Sequence, residues 1–154
     1  MADIFTFKIL LVGDRSVGKT TYLKYLRTGV YDTAYIPTIG VNIHPIIYHT
    51  NYGKIIFNVW EVIDFENYCK DADACIYMYT YDNRSKSDII LPMENIPVII
   101  VESKSDIVRS KISTIFHCKR NKDVTLSTHT HTNVNKVFLL LARALLNADD
   151  VAFV

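Results

Sequence analysis

The chain has 154 residues, 49 % of them hydrophobic, and its 17 basic and 16 acidic side chains give a net charge of +1. This length and apolar content predict a single domain, residues 1–154, with a sizeable core, and they argue against disorder. The balanced charge excludes a global field that would attract nucleic acid or an anionic membrane, so binding has to be inferred from local features.

The predicted elements alternate between strands and helices along the chain. Strand-like apolar runs occupy residues 4–12, 41–49, 54–60, 74–79, 96–101 and 124–126. A helix is predicted from Lys19 to Gly29, and an amphipathic helix over 134–146 has the apolar stripe Val134, Val137, Phe138, Leu141, Ala144 and Leu145. Residues 50–53 join two of the strands as a hairpin. This order predicts an α/β fold with a mostly parallel sheet and a ligand at the carboxyl ends of its strands.

A phosphate-binding motif follows the first strand. The pattern G-x-x-x-x-G-K-[ST] is matched by Gly13, Asp14, Arg15, Ser16, Val17, Gly18, Lys19 and Thr20, with Thr21 next. In such a loop, backbone N–H groups face phosphate oxygens and the following helix adds its positive end. Lys19 would place a charge at the terminal phosphates, and the Thr20 hydroxyl would ligate Mg²⁺. Short motifs also occur by chance, but the strand before and the helix after favour nucleotide binding.

Two later segments are similar to guanine-reading motifs. Ser103-Lys104-Ser105-Asp106 resembles N-K-x-D, with Ser in place of Asn. The Asp106 carboxylate would accept hydrogen bonds from guanine, and the stem of Lys104 would lie across the base. Ser127-Thr128-His129 resembles S-A-K, whose backbone N–H faces the guanine oxygen, although His129 is a weaker brace for the loop than Lys.

These motifs belong to a wider resemblance, from Phe7 to Val154, to the Ras superfamily of small GTPases and, within it, to the Ran branch. Its most specific blocks are Thr38-Ile39-Gly40-Val41-Asn42-Ile43-His44-Pro45, Phe57-Asn58-Val59-Trp60, Glu94-Asn95-Ile96-Pro97, Ile115-Phe116-His117 and Leu141-Ala142-Arg143. The resemblance implies a P-loop NTPase (small GTPase) fold with a six-stranded sheet, and bound GTP or GDP with Mg²⁺. It also implies that Thr38 closes over Mg²⁺ and a triphosphate, and that Tyr31 flanks the base.

The same resemblance implies partners and a place in the cell. The expected partners are nuclear transport receptors and Ran regulators, met by a monomer in the cytoplasm or nucleus. The odd cysteine number, Cys69, Cys75 and Cys118 without C-x-x-C spacing, is typical of a reducing compartment. No signal peptide, membrane span or prenylation cysteine is expected, hence no membrane anchor.

The sequence departs from the family at the segment that begins switch II. Where the family has D-T-A-G-Q-E, this chain has Glu61-Val62-Ile63-Asp64-Phe65-Glu66. Glu61 replaces the Asp that holds a Mg²⁺-bound water and is one methylene longer. Asp64 replaces the Gly that senses the terminal phosphate, and its carboxylate would repel a triphosphate. Phe65 replaces the Gln that positions the attacking water. Switch II and the third helix are also expected to be shortened.

Three interpretations of these departures remain open. The first is a protein that binds guanine nucleotide but hydrolyses GTP very slowly, because phosphoryl transfer depends on positioning. In a variant of it, Arg15 acts as an arginine supplied in cis. The second is a pseudo-GTPase that engages Ran partners without a nucleotide cycle. The third, an inert relic, is disfavoured by the retention of Lys19, Thr20, Thr38 and Asp106.

Two further clusters have ordinary explanations. His129-Thr130-His131 has the spacing of a metal site, but no nearby Cys or carboxylate completes it, so a solvated loop is the preferred interpretation. A basic cluster consists of Lys111, His117, Lys119, Arg120 and Lys122. It either meets acidic patches of a partner or is simply a solvated surface, and the second is favoured.

Overall fold

The computed structural model describes residues 2–14, 16–31, 40–62, 67–80, 89–90, 95–104, 116–117 and 121–154. The strands are β1 (Ile4–Val12), β2 (Val41–Thr50), β3 (Gly53–Val62), β4 (Ala74–Tyr79), β5 (Ile89–Ile90), β6 (Val98–Glu102), β7 (Phe116–His117) and β8 (Asn121–Thr125). The helices of this part of the chain are α1 (Lys19–Thr28) and α2 (Lys136–Leu146).

A sheet of six strands, in the order β2-β3-β1-β4-β6-β8, forms the centre of the described structure. The pairs within β3-β1-β4-β6-β8 are parallel, and β2 pairs with β3 antiparallel. The predicted α/β fold with a mostly parallel six-stranded sheet is therefore confirmed. A separate parallel pair of β5 and β7 was not predicted, because each strand has only two residues.

One face of the sheet packs against both helices. Tyr22 and Leu23 of α1 are fully buried there, as are Phe57 of β3 and Phe138 of α2. The rings of Phe57 and Phe138 meet edge to face, with centroids 5.2 Å apart. The predicted apolar stripe of α2 is buried at Val137, Phe138, Leu141 and Val134, whereas the predicted Ala144 is exposed because the stripe turns toward Ala142.

The other face is covered in part by the chain between β3 and β4. Residues 67–73, the described part of the switch II region, form turns without a helix. The Tyr68 ring lies 6.2 Å from that of Trp60, and the Lys8 ammonium lies 4.3 Å from the Trp60 ring while donating to the Lys70 carbonyl at 2.8 Å. These contacts hold the described residues 67–73 against the sheet. The shortened third helix was expected between Arg84 and Glu94, of which only residues 89–90 are described, and these form strand β5.

Among the described residues, no helix is long and apolar enough to cross a membrane. Cys69 and Cys75 are free thiols, half-buried and buried respectively, and Cys118 lies outside the described residues.

Buried tyrosines make the stability of this fold sensitive to alkaline pH. Burial raises the pKa of Tyr22 and of Tyr48, and burial, with the nearby Asp14 carboxylate, raises the pKa of Tyr77 to about 12. Between pH 10 and 12 the unfolded chain loses these phenolic protons while the folded chain keeps them, so raising the pH favours unfolding.

We therefore expect the free energy of unfolding to be insensitive to these groups below about pH 9 and to fall as pH rises past 10. Denaturant titrations at a series of pH values measure this. Tyr77→Phe should make the fall shallower, because one titrating group is removed. An identical slope for the variant and the wild type would show that Tyr77 ionises as freely in the folded state as in the unfolded chain.

Candidate nucleotide-binding site

The phosphate-binding motif forms the loop between β1 and α1, at the carboxyl edge of the sheet. Gly13 has φ +150°, and a Cβ added there would lie 2.0 Å from the Met78 carbonyl oxygen of β4. Gly18, with φ +98°, is the N-cap of α1 and would place a Cβ 3.3 Å from the Ser103 hydroxyl. Glycine is needed at the first position because the β4 backbone occupies the space of a side chain.

Lys19 lies inside this loop and is only 8 % exposed. Its ammonium donates hydrogen bonds to the Gly13 and Asp14 carbonyls, each at 2.7 Å. Burial lowers the pKa of the Lys19 ammonium, although Glu61 and Asp14 act in the opposite direction. The Lys19 ammonium is therefore fixed within the loop by the carbonyls of its first two residues.

Thr20, the next residue, joins the loop to the end of β3. Its hydroxyl donates to Oε1 of Glu61, a side chain that is only 1 % exposed. The longer side chain at position 61 does reach the Thr20 hydroxyl. Because β1 and β3 pair with Leu11 opposite Glu61, the strand register places this carboxylate beside the loop.

The same carboxylate contacts His44, which in turn contacts Arg27, and neither residue was predicted to belong to the site. Nε2 of His44 lies 3.2 Å from Oε2 of Glu61, and Nδ1 of His44 lies 2.8 Å from Nη1 of Arg27. In the hairpin, Asn42 pairs with Glu61, so His44 lies two residues along β2 on the same face. That parity is the signal that could have pointed to His44 once the strand register was known, whereas nothing in the sequence pointed to Arg27.

The oxygen donors at Thr20 and Glu61 suit Mg²⁺, which prefers hard oxygen ligands and is held in nucleotide sites by few side chains plus phosphates. Within the described ranges, no group of three or more His, Cys, Asp and Glu side chains could hold a metal by itself. The donors present therefore fit a metal that is completed by a nucleotide.

The predicted base-reading segment lies next to the loop. The Lys104 ammonium donates to the Ser16 carbonyl at 2.9 Å, and Lys104 has φ +57°. The backbone N–H of Ser103 donates to the Tyr79 carbonyl at 2.7 Å, which fixes the start of this segment to β4. Lys104 thus connects the predicted base-reading segment to the phosphate loop.

The loop after β8 is braced against α1 and the residues that follow it. Ser127 and Thr132 exchange backbone hydrogen bonds of 3.1 and 2.9 Å, which close the loop, and Thr128 is buried within it. The ring of His129 stacks on that of Tyr31, with centroids 5.2 Å apart. His131 likewise bonds to the Tyr25 hydroxyl through Nδ1.

Both histidines of this loop are exposed to solvent, but each has a tyrosine partner. His129 was expected to brace the loop less well than the Lys of the S-A-K motif, but its stacking on Tyr31 supplies a bracing contact of another kind. The Tyr22 hydroxyl adds a third contact, a hydrogen bond of 2.6 Å to the Val134 carbonyl just beyond the loop.

The structure describes most of the predicted site residues; it joins the phosphate loop to Glu61 and to Lys104, and His129 to Tyr31. Those with described positions are Gly13, Asp14, Ser16, Val17, Gly18, Lys19, Thr20, Thr21, Tyr31, Glu61, Lys104, Ser127, Thr128 and His129. Arg15, Thr38 and Asp106 lie outside the described residues, as do Asp64 and Phe65. Among the described residues, Val17 contributes packing, since it is fully buried in the core beneath the loop.

Loss of the stacking contact should loosen the base end of the site. We expect His129→Ala to speed GDP dissociation about 2- to 10-fold, because an aromatic pair contributes about 0.5–1.5 kcal/mol. Stopped-flow release of a fluorescent GDP analogue measures this rate. His49→Ala, an exposed histidine on β2, is the matched control and should leave the rate unchanged. Equal rates for His129→Ala and wild type would contradict a bracing role for the stack.

The strand order, the glycine-bounded loop before α1 and the buried Lys19 define a P-loop α/β protein of the Ras-like GTPase class. Residues 8–106, more than half of the chain, match the family model described as Ras of Complex, Roc, domain of DAPkinase. The chain therefore belongs to the Roc family of Ras-like GTPase domains, and membership implies guanine-nucleotide binding. The expected Ras superfamily assignment is confirmed at this level.

Proposed function

We propose that this protein is a small GTPase of the Ran-like type that binds GDP or GTP with Mg²⁺ and hydrolyses GTP very slowly or not at all. The observation that best supports nucleotide binding is that the predicted phosphate-binding loop and the predicted base-reading segment are in direct contact. Lys19 is buried within the phosphate loop, and Lys104 of the base-reading segment donates to the Ser16 carbonyl of the same loop.

The described residues supply the groups that a nucleotide diphosphate or triphosphate needs. The N-terminus of α1 and the loop N–H groups would face the phosphates, and Lys19 would add its charge in a desolvated place. Thr20 would bind Mg²⁺ directly and Glu61 through a water, and the ion when bound would neutralise phosphate charge. Lys104 would lie under the base, while Asp106, outside the described residues, would select guanine.

Slow hydrolysis is supported by the residues that replace the family's switch II motif. Phe65 has no group that can orient a water molecule, and Asp64 places a negative charge near the terminal phosphate. Retained groups such as Lys19 and Thr20 favour binding rather than turnover. A cis contribution from Arg15 remains the alternative route to activity.

Two measurements on the purified protein test this proposal. Denaturation followed by chromatography identifies the nucleotide carried, and we expect GDP or GTP near one per chain. Single-turnover hydrolysis of labelled GTP is expected to be slower than about 4 × 10⁻⁵ s⁻¹, tenfold below the intrinsic rate of Ras. A faster rate that Arg15→Ala removes would support the cis-arginine route, and one that persists would overturn the impaired-enzyme proposal.

The double variant Asp64→Gly with Phe65→Gln tests whether these two residues are the cause of slow GTP hydrolysis. It restores the residues that sense the terminal phosphate and orient water in the family, so hydrolysis should rise by at least about tenfold. A rate that stays at the wild-type level would place the defect elsewhere than at these two positions.

The Ran-like assignment and a part in nucleocytoplasmic transport rest on the sequence blocks around His44-Pro45 and Phe57-Asn58-Val59-Trp60. Nuclear transport receptors and Ran regulators are the proposed partners, in the cytoplasm or nucleus. The second candidate is a pseudo-GTPase binding module, favoured by Asp64 and Phe65. Binding of a purified transport receptor to the nucleotide-free protein and to the protein loaded with a GTP analogue separates them: nucleotide-dependent binding supports the GTPase, and equal binding the module.

A further inference from the structure

Glu61 is held from two sides in a way that the sequence motifs do not assign. Its Oε1 accepts the hydroxyl of Thr20 in the phosphate loop, and its Oε2 lies 3.2 Å from Nε2 of His44 on β2. Glu61 is only 1 % exposed and the His44 side chain 13 %, so water competes little for this contact. The carboxylate is therefore oriented by α1 on one side and by β2 on the other.

Arg27 determines which nitrogen of His44 carries the proton. A guanidinium group has donors and no acceptor, so at the 2.8 Å contact between Nη1 of Arg27 and Nδ1 of His44 the imidazole nitrogen must accept. Nε2 then carries the hydrogen of the neutral ring and donates it to Oε2 of Glu61. The chain Arg27 to His44 to Glu61 thus has a single direction of donation.

A glutamate needs such support more than an aspartate would. Its side chain has one more rotatable bond, so more conformational freedom must be lost to hold the carboxylate in one place. Groups that hydrogen-bond to a metal-binding side chain fix its orientation, and losing them commonly weakens metal affinity about 10- to 100-fold.

We propose that His44, held in its Nε2–H tautomer by Arg27, is a positioning residue for Glu61 and thereby sets the affinity of the nucleotide-bound protein for Mg²⁺. This inference rests on the proposed function, since the metal is completed by a bound nucleotide. It makes the first half of β2, through His44, and the last turn of α1, through Arg27, part of the support of the metal site.

The first test measures GDP dissociation over a series of free Mg²⁺ concentrations. His44→Ala should raise the Mg²⁺ concentration that gives half-maximal retention of GDP about tenfold, while the dissociation rate in EDTA stays within about twofold. His44→Gln, which keeps a side-chain N–H donor, should restore part of the affinity and serves if the alanine variant folds poorly. His49→Ala, on the same strand, should match the wild type.

A double-mutant cycle with Glu61→Asp isolates the positioning role. Because the Asp side chain is one methylene shorter, we expect it to lose the contact with His44, so the effect of His44→Ala should shrink to less than about threefold in that background. An equal effect in both backgrounds would show that His44 acts on the fold in general and would overturn the proposal.

A nitrogen NMR spectrum of the nucleotide-free protein gives an independent readout. The His44 ring should show its proton on Nε2 in the wild type, and a mixture of tautomers in Arg27→Ala. A proton on Nδ1 in the wild type would overturn the inference. If the wild type binds GDP but His44→Ala does not change the Mg²⁺ dependence of GDP dissociation, only this inference is wrong. If the wild type binds no guanine nucleotide, the proposed function is wrong as well.

Discussion

Replacing Lys19 with alanine is expected to weaken GDP binding by at least about 100-fold. The Lys19 ammonium lies within the phosphate loop; the residue is 8 % exposed, and the ammonium donates hydrogen bonds of 2.7 Å to the Gly13 and Asp14 carbonyls. Removing one member of a desolvated, hydrogen-bonded charge pair costs about 3 kcal/mol, which corresponds to about two orders of magnitude in Kd. Isothermal titration with GDP and Mg²⁺ measures the change.

The matched control for this experiment is Lys24→Ala. It removes the same charge from the same helix at an exposed position, so long-range electrostatics change equally while the loop is untouched. Far-UV circular dichroism should confirm that both variants remain folded, since Lys19→Ala leaves two loop carbonyls without this donor. Affinities within about fivefold of each other would contradict the assignment of Lys19 to the phosphates.

The parts of the fold that were predictable from the sequence are those set by local patterns. Runs such as 74–79 are apolar throughout because parallel strands are buried on both faces, and β4 lies at that position. Gly29 ends α1 as predicted, with φ +72° and its N–H bonded to the Tyr25 carbonyl. The phosphate motif predicts its own geometry because its two glycines allow the positive φ values, +150° and +98°, that the loop adopts between strand and helix.

What could not be predicted depends on packing between distant segments. The Tyr25 to His131 contact joins residues 106 positions apart, and the Tyr22 to Val134 hydrogen bond joins residues 112 apart. No local pattern selects these partners, because they follow from how α1 docks beside the loop after β8. The boundaries also moved for local reasons: β6 begins at Val98, after Pro97, which cannot donate to the ladder.

Glu61 combines a feature that is predictable from the sequence with contacts that are not. Its motif position is readable from the sequence, because it directly follows the strand-like run 54–60, and in the structure it is the last residue but one of β3. The residues that hold it are not readable in this way, since His44 lies beside it through the β2–β3 register, and Arg27, in the last turn of α1, contacts His44. A motif therefore predicts which residue faces the ligand more readily than which residues hold it there.

Gly13→Ala is expected to remove most of the stability of the fold, with a loss of more than about 4 kcal/mol in the free energy of unfolding. The new Cβ would lie 2.0 Å from the Met78 carbonyl oxygen and 3.1 Å from its carbon, in the backbone of a central strand that cannot move aside.

Gly29→Ala is the control that separates this clash from backbone strain. Its φ of +72° also disfavours an L-residue, but an added Cβ has nothing within 4 Å. The variant should therefore lose only about 1–2 kcal/mol, the usual penalty for left-handed backbone. Urea titrations of both variants compare the two losses, and the excess at Gly13 measures how closely β4 supports the phosphate loop. Equal losses at the two positions would mean that the loop can move away from Met78, and that its path is not fixed by the strand behind it.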